Sequence, residues 1–300
     1  FVTLMADVMF VCGLPLFVTL SRKIKLVTAE YMPNRKAGQL AKSLRKIVKL
    51  YAKGGFIVRL ALMDKEFDKV EDLVGLLETN TTAAREHVGE IEREIRLIKE
   101  RTRCITTGFP YHWIPKMVII HTIYGVCMWL NEFSPNTKLI GGLSPRELVT
   151  GRKLACDKDC RADIGAYIEA TVDADITNGQ EARTHSCISL GPSGNIQGSL
   201  KCFDLETGKV VIRRRVVQLP FPNRMLKKAN AWGKKTKAQI TKDSIQFLNR
   251  MGEKFDWEND EVETIQVVRS EPEKVQRDHV VPSEIPGIEI EDDYVAVQGP

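Results

Sequence analysis

The chain has 300 residues, 43% of them hydrophobic, with seven cysteines and a net charge of +5. That length suits one large domain or two smaller ones with a real apolar core, and the odd cysteine count argues against a disulfide framework, so the thiols are read as reduced and intracellular, in nucleus and cytoplasm. The modest net charge conceals an asymmetry: residues 201–250 carry 13 Lys/Arg against 3 Asp/Glu, while 251–300 carry 4 against 14. The basic block suits an anionic partner such as a phosphate backbone, or else a solvated, flexible segment.

Strands are expected at Val8–Val11, Leu16–Ser21 and Lys25–Tyr31, the first two joined around Gly13-Leu14-Pro15. The apolar run Val8–Leu20 is too short to span a bilayer and lacks the basic start of a signal peptide, so no membrane partner is expected. From Arg35 to Lys53 apolar residues recur with a helical period, and Gly54-Gly55 ends that helix. A buried strand Phe56–Met63 follows, closed by Asp64, then a short helix Lys69–Leu77 and a Thr-rich stretch Thr79–Thr82. Thr82 can cap a helix over Ala83–Ile105; another is expected over Ile114–Asn131, and Ser144-Pro145 begins a short one. Ala166–Thr171, Ser186–Leu190, Ser199–Leu205 and Val210–Gln218 then read as short strands of a small all-β module. Most of 222–300 reads as disordered linker.

Three carboxylates sit where a metal-dependent phosphodiester site wants them: Asp7 on the first strand, Asp64 at the end of the fourth, and Glu92 on a helix. Hard divalent cations take oxygen ligands, and two-metal phosphoryl chemistry needs carboxylates converging from different elements. On the helix, Val88, Ile91, Ile95, Ile98 and Ile105 share one sector. With Ile91 at zero, Glu92 projects about 100° away, and Arg85, Arg96, Lys99 and Arg103 project on that same side, between about 80° and 140°. Glu90 projects to the other side with Glu94 and Glu86. Glu92 is thus the carboxylate surrounded by cationic donors suited to phosphates. Taken singly, the three have plainer readings: an ion pair of Glu92 with Arg96, a strand-end turn at Asp7, a helix cap at Asp64, with Glu66 as a substitute ligand. Cys156, Cys160, His185 and Cys187 form a zinc alternative, although their spacing fits no strong template. Arg213-Arg214-Arg215 read as phosphate contacts; the lysines from Lys227 to Lys237 read as phosphate contacts or a nuclear import signal.

Residues 1 to about 218 resemble the integrase region of Ty1/copia-type retrotransposon polyproteins. The resemblance is carried by Asp7-Val8-Met9-Phe10-Val11 with Phe17–Arg22, by Met63-Asp64-Lys65-Glu66-Phe67, by Gly89–Arg96 with Glu100 and Arg103, by Trp129-Leu130-Asn131, and by Leu143–Lys153. The family's Asn-Gly-Val-x-Glu-Arg motif places its glutamate on Glu92, and its Thr-Pro-x-Glu-x-x-x-Gly-x-Lys motif falls on Ser144 to Lys153. The Asp64–Glu92 gap is shorter than the family's, and no reverse-transcriptase or protease motif is present.

The resemblance implies an α/β fold: an RNase H-like core over 1–155, with a mixed five-stranded sheet flanked by helices. A small SH3-like β module over 160–220 and a mostly disordered basic-then-acidic linker over 221–300 would follow. It implies a DNA integrase using Mg²⁺ or Mn²⁺ in a two-metal site, with Asp7 bridging the ions and Asp64 and Glu92 each holding one. Partners would be element-end DNA, target DNA and further copies of the chain, with no small-molecule substrate. Beginning at Phe1, the chain is expected to be a piece of a larger polyprotein. A catalytically inactive DNA-binding remnant and an RNase H-type nuclease are the alternatives.

Overall fold

A computed structural model describes residues 1–64, 78–82, 89–133, 141–172, 180, 182–236 and 239–248, without the side chains of Asp64 and of 78–82. The expected helix Lys69–Leu77, Glu66, Arg85 and the acidic tail lie outside the described residues. The described chain belongs to one compact unit, Phe1–Asp256.

The first sheet runs in the order β3-β2-β1-β4-β5, from β1 (Val2–Val11), β2 (Leu14–Ser21), β3 (Val27–Tyr31), β4 (Val58–Asp64) and β5 (Glu78–Thr82). The first three strands are antiparallel, while β4 and β5 run parallel to β1, so the sheet is mixed as expected. The Thr-rich stretch, left without an element above, is the strand β5. Its β-branched threonines suit an edge position paired on one side only. Cys12 and Gly13, both at positive φ, make the tight β1–β2 turn, so β2 starts earlier than expected and includes Pro15.

Helix α1 (Ala37–Lys53) covers one face of this sheet. Leu4, Ala6 and Val8 of β1 and Ala61 and Met63 of β4 join Leu40, Leu44, Ile47 and Tyr51 of α1 in one buried cluster. Gly55, at φ +80°, is the left-handed residue that ends α1. At Gly54 a Cβ would meet the Val149 carbonyl at 2.3 Å. Alternation puts Met5, Asp7 and Met9 on the opposite face. There lie α2 (Gly89–Thr107), which packs on β1 and β2, and α3 (Lys116–Glu132), which packs on β3 and α2. Residues 83–88 lie outside the described set, so Glu92 belongs to the first described turn of α2. The buried face of α2 is Ile91, Ile95, Ile98, Thr102 and Thr106 rather than one ending at Ile105.

A helix–turn segment follows, α4 (Pro145–Thr150) and α5 (Cys156–Asp159). The expected cap on α4 is present: the Ser144 hydroxyl accepts the Glu147 N–H at 3.1 Å. The second sheet, in the order β10-β6-β7-β8-β9, is wholly antiparallel: β6 (Tyr167–Thr171), β7 (Thr184–Pro192), β8 (Leu200–Asp204), β9 (Val210–Arg213) and β10 (Val216–Gln218). Val210–Gln218, read as one strand, is split in two at Arg214-Arg215. The two resulting strands lie on opposite edges of the sheet, which one continuous strand cannot do.

Beyond Pro220 the structure departs from the linker reading. Helix α6 (Asn223–Lys235) docks on both parts of the molecule. Its Trp232 indole N–H donates to the Leu205 carbonyl at 2.9 Å, and the Asn230 amide oxygen accepts the N–H groups of His112 and Trp113. Strand β11 (Phe247–Leu248) then pairs antiparallel with Phe10 and Val11 of β1. Lysine-rich composition hid an apolar sector of about 120° on α6 (Met225, Leu226, Ala229, Trp232 and Gly233), the signal that finds it. Among the described residues no helix is long and apolar enough to cross a membrane.

Candidate active site

Strand β1 pairs in parallel with β4 through Thr3↔Leu60, Leu4↔Ala61 and Met5↔Leu62. Asp7 lies two residues beyond this paired stretch in β1, and Asp64 ends β4 two residues beyond Leu62. Met63, the residue before Asp64, packs on the α1 side, while Asp7 shares the opposite parity of Met5 and Met9. Asp7 is half-buried, and its Oδ1 accepts the Val8 N–H at 2.7 Å. Pairing between β1 and β4 is recorded only through Met5, and β11 pairs with β1 only from Phe10 onward. Asp7 therefore falls on the stretch of β1 between these two partners.

Helix α2 brings its acids to this face in a defined order. Glu90 is tied to the β2–β3 turn, accepting from Arg22 Nε at 3.2 Å and Lys25 Nζ at 2.8 Å. The Lys25 hydrogen bond leads the causes that hold its carboxyl below the usual range, with the Arg22 guanidinium adding to it. Glu94, one turn on, is raised by burial, with Lys25 opposing, and lies on the side of α3, where it acts on Cys127. With Glu90 toward β2 and β3 and Ile91 down on the sheet, Glu92 falls about 200° around the helix from Glu90. That is the border turned away from the β2–β3 turn that holds Glu90. Glu92 is half-buried. The plain i,i+4 reading of Glu92 with Arg96 is not what forms: Arg96 Nε pairs with Glu100 Oε1 at 3.3 Å. Lys99 shares the Glu92 border half-buried, and Arg103 lies exposed on it.

The second basic group is elsewhere. Arg213 ends β9 half-buried, with Nη1 on the Ile212 carbonyl at 2.9 Å. Arg214 and Arg215 form the exposed link to β10. Several lysines of the basic segment have partners within the fold: Lys228 pairs with Glu206, Lys235 lies over Trp232 at 4.2 Å, and Lys234 lies over Trp113 at 5.6 Å.

The zinc alternative fails on geometry. Cys187 and Cys202 are buried in the core of the second sheet, and burial pushes both thiols up. Cys156 and Cys160 are exposed on α5, where burial of the Cys160 thiol and its hydrogen bond with Cys156 raise it to about 11. Among the described residues no three His, Cys, Asp or Glu side chains gather as a metal cluster.

Two polar arrangements escaped sequence reasoning. Asn131 is buried and grips the edge strand β3 like a missing strand partner, accepting the Val27 N–H and donating to its carbonyl, both at 2.7 Å. Arg146 lies among buried acids, 3.4 Å from Glu132 and 3.9 Å from Asp159, and so joins α3, α4 and α5. Both residues belong to motifs quoted above, and the structure assigns them to scaffolding.

Among the solved structures this chain is similar to are two integrase catalytic core domains. One is the catalytic core domain of BIV integrase, with a TM-score of 0.37 and 17% identity, over 50% of this chain and 93% of that one. Another is the HTLV-2 integrase catalytic core domain in complex with magnesium, in a trimeric form, with a TM-score of 0.38 and 12% identity, over 49% and 95%. No protein-family model and no curated protein sequence matches the chain.

Proposed function

We propose that the chain is a retrotransposon integrase of the Ty1/copia type. Its activity would be that of a divalent-metal-dependent polynucleotidyl transferase, with Asp7, Asp64 and Glu92 as the catalytic carboxylates. One observation supports this reading: β1 and β4, the strands that bear Asp7 and Asp64, are parallel neighbours in the sheet, and the helix that bears Glu92 packs on β1 and β2. An all-carboxylate donor set suits a hard cation such as Mg²⁺ or Mn²⁺ and not a soft one. When bound, the metal would activate the attacking oxygen and steady the leaving one. The chain's own part is to hold that charge and orient DNA. Arg96, Lys99 and Arg103 on the Glu92 border, with Arg85, would take the phosphates of element-end or target DNA. Arg213, Arg214 and Arg215 would add contacts from the second sheet, which we read as the SH3-like module. Further copies of the chain would bridge the two DNA ends.

The test uses the full chain, a pre-cut duplex that mimics an element end, and Mn²⁺. Strand-transfer products are expected from the wild type and not from Asp64→Asn or Glu92→Gln, with DNA still retained in a mobility-shift assay. Retention of DNA without products from the wild type would assign the chain to an inactive remnant. Full activity in either variant would remove that residue from the site.

A further inference from the structure

The face of α1 that is turned away from the sheet carries a strip of positive charge. Lys42, Arg45, Lys46, Lys49 and Lys53 are exposed, and all fall within about 100° of the helix circumference. From Lys42 to Lys53 the strip is about 16 Å long at the helical rise. Helix α1 contains no Asp or Glu, so nothing on the helix balances these charges at i,i+3 or i,i+4, in contrast with Arg96 and Glu100 on α2. The strip lines a groove of about 590 Å³ with Thr28, Ala29 and Glu30 of β3. Glu30 is the groove's single acid, and it is already paired with Lys46 at 2.5 Å. Lys201 of β8 adds a further half-buried cation nearby, lowered from its ordinary value by burial first and then by Lys46. Like charges crowded on one helix face repel one another, and a polyanion would relieve that repulsion. Lys42, Lys49 and Lys53 enter no ion pair among the described residues.

We propose that this groove binds the phosphodiester backbone of duplex nucleic acid, as a second contact surface on the face of the sheet opposite Asp7. Duplex DNA presents one charge per about 1.7 Å of axis, so a cation strip of this length meets several phosphates. Its contacts would be to phosphates, which position a duplex without reading its sequence. The inference does not rest on catalysis.

The test is equilibrium binding of the full chain to a random-sequence duplex by fluorescence anisotropy, in EDTA, over a range of salt. Each phosphate contact contributes about 0.9 to the slope of log affinity against log salt. Lys42→Ala/Lys49→Ala/Lys53→Ala is expected to lower the slope by roughly 2.7. The charge-retaining Lys42→Arg/Lys49→Arg/Lys53→Arg variant is expected to keep it. As a readout on the unaltered chain, Lys42, Lys49 and Lys53 are expected to be protected from reductive methylation by bound duplex. An unchanged slope in a folded triple-alanine variant, or no protection of the three lysines, overturns the proposal. Equal competition by polyglutamate at matched charge also overturns it, in favour of an acidic polypeptide.

Discussion

Glu90 and Glu92 are two residues apart in one helical turn, yet their substitution should have opposite consequences. Glu90→Gln removes the charge that holds Arg22 and Lys25 to the start of α2. Those pairs are 3.2 and 2.8 Å long, but the Glu90 side chain is 37% exposed and Arg22 is 55% exposed. Solvent screening then limits the loss to about 1 kcal/mol or less, or roughly 2–4 °C in thermal midpoint for a chain of this size. The loss should depend on pH in one direction. Because the folded chain holds the Glu90 carboxyl below its ordinary 4.5, the contribution is full above that pH and is lost as pH falls through the lowered value. Wild type and Glu90→Gln should therefore converge in stability in acid, and the variant should keep its strand-transfer activity at neutral pH. Glu92→Gln should keep its stability within about 0.5 kcal/mol, as for an ordinary surface change, and lose transfer by at least about 100-fold, the order seen when a preorganised charge-stabilising group is removed. Thermal unfolding and a Mn²⁺-dependent transfer assay on the same preparations decide the matter. Equal loss of activity in two folded variants would show that the helix-face assignment of Glu92 is wrong.

Asn131→Leu should cost about 2–3 kcal/mol, since it strands the buried N–H and carbonyl of Val27; denaturant unfolding measures it, and a cost below 1 kcal/mol would mean that water replaces both bonds. Arg146→Met should cost about 3 kcal/mol by leaving the Glu132 and Asp159 carboxylates, 7% and 10% exposed, without their cation. His121 is buried and held down to about 4, by burial first and by Lys201 second. Its folded value lies below the ordinary 6.5, so its contribution is full above about pH 6.5 and is lost as pH falls toward 4, by up to about 3 kcal/mol. His121→Gln should flatten the stability profile in that window, and an unchanged profile would remove the histidine as its cause.

The periodic segments were legible because burial imposes its period on sequence. The three strands of the first meander, α1, α3 and the Ser144 cap all form, although β1 begins at Val2 rather than Val8 and β2 at Leu14 rather than Leu16. On α2, arithmetic alone separates Glu92 from Glu90, and the Arg22 and Lys25 pairs on Glu90 give that separation its physical cause. What stayed hidden depends on partners distant in sequence. Asn131 looks like any polar residue near a helix end until Val27 is laid beside it. Arg146 looks like a surface arginine until Glu132 and Asp159 close on it. The threonines of β5 show no alternation of apolar residues, and α6 is masked by its lysines. The parallel pairing of β1 with β4, the strands that bear Asp7 and Asp64, is likewise a matter of register, which a single sequence does not print.

The short strand β11 ties the last described part of the chain to the first. Phe247 and Leu248 sit beside Val11 and Phe10, Cys12 donates to the Gln246 carbonyl at 2.9 Å, and the Ile114 N–H reaches the Ile240 carbonyl at 2.8 Å. During synthesis, strand β1 emerges more than two hundred residues before its final neighbour exists. Contacts of such sequence separation slow folding, and until they form the end of β1 stays open to other chains as an unfilled edge. A fragment cut at Pro220, where the small β module ends, would keep every proposed catalytic residue and still lack the piece that finishes its first strand.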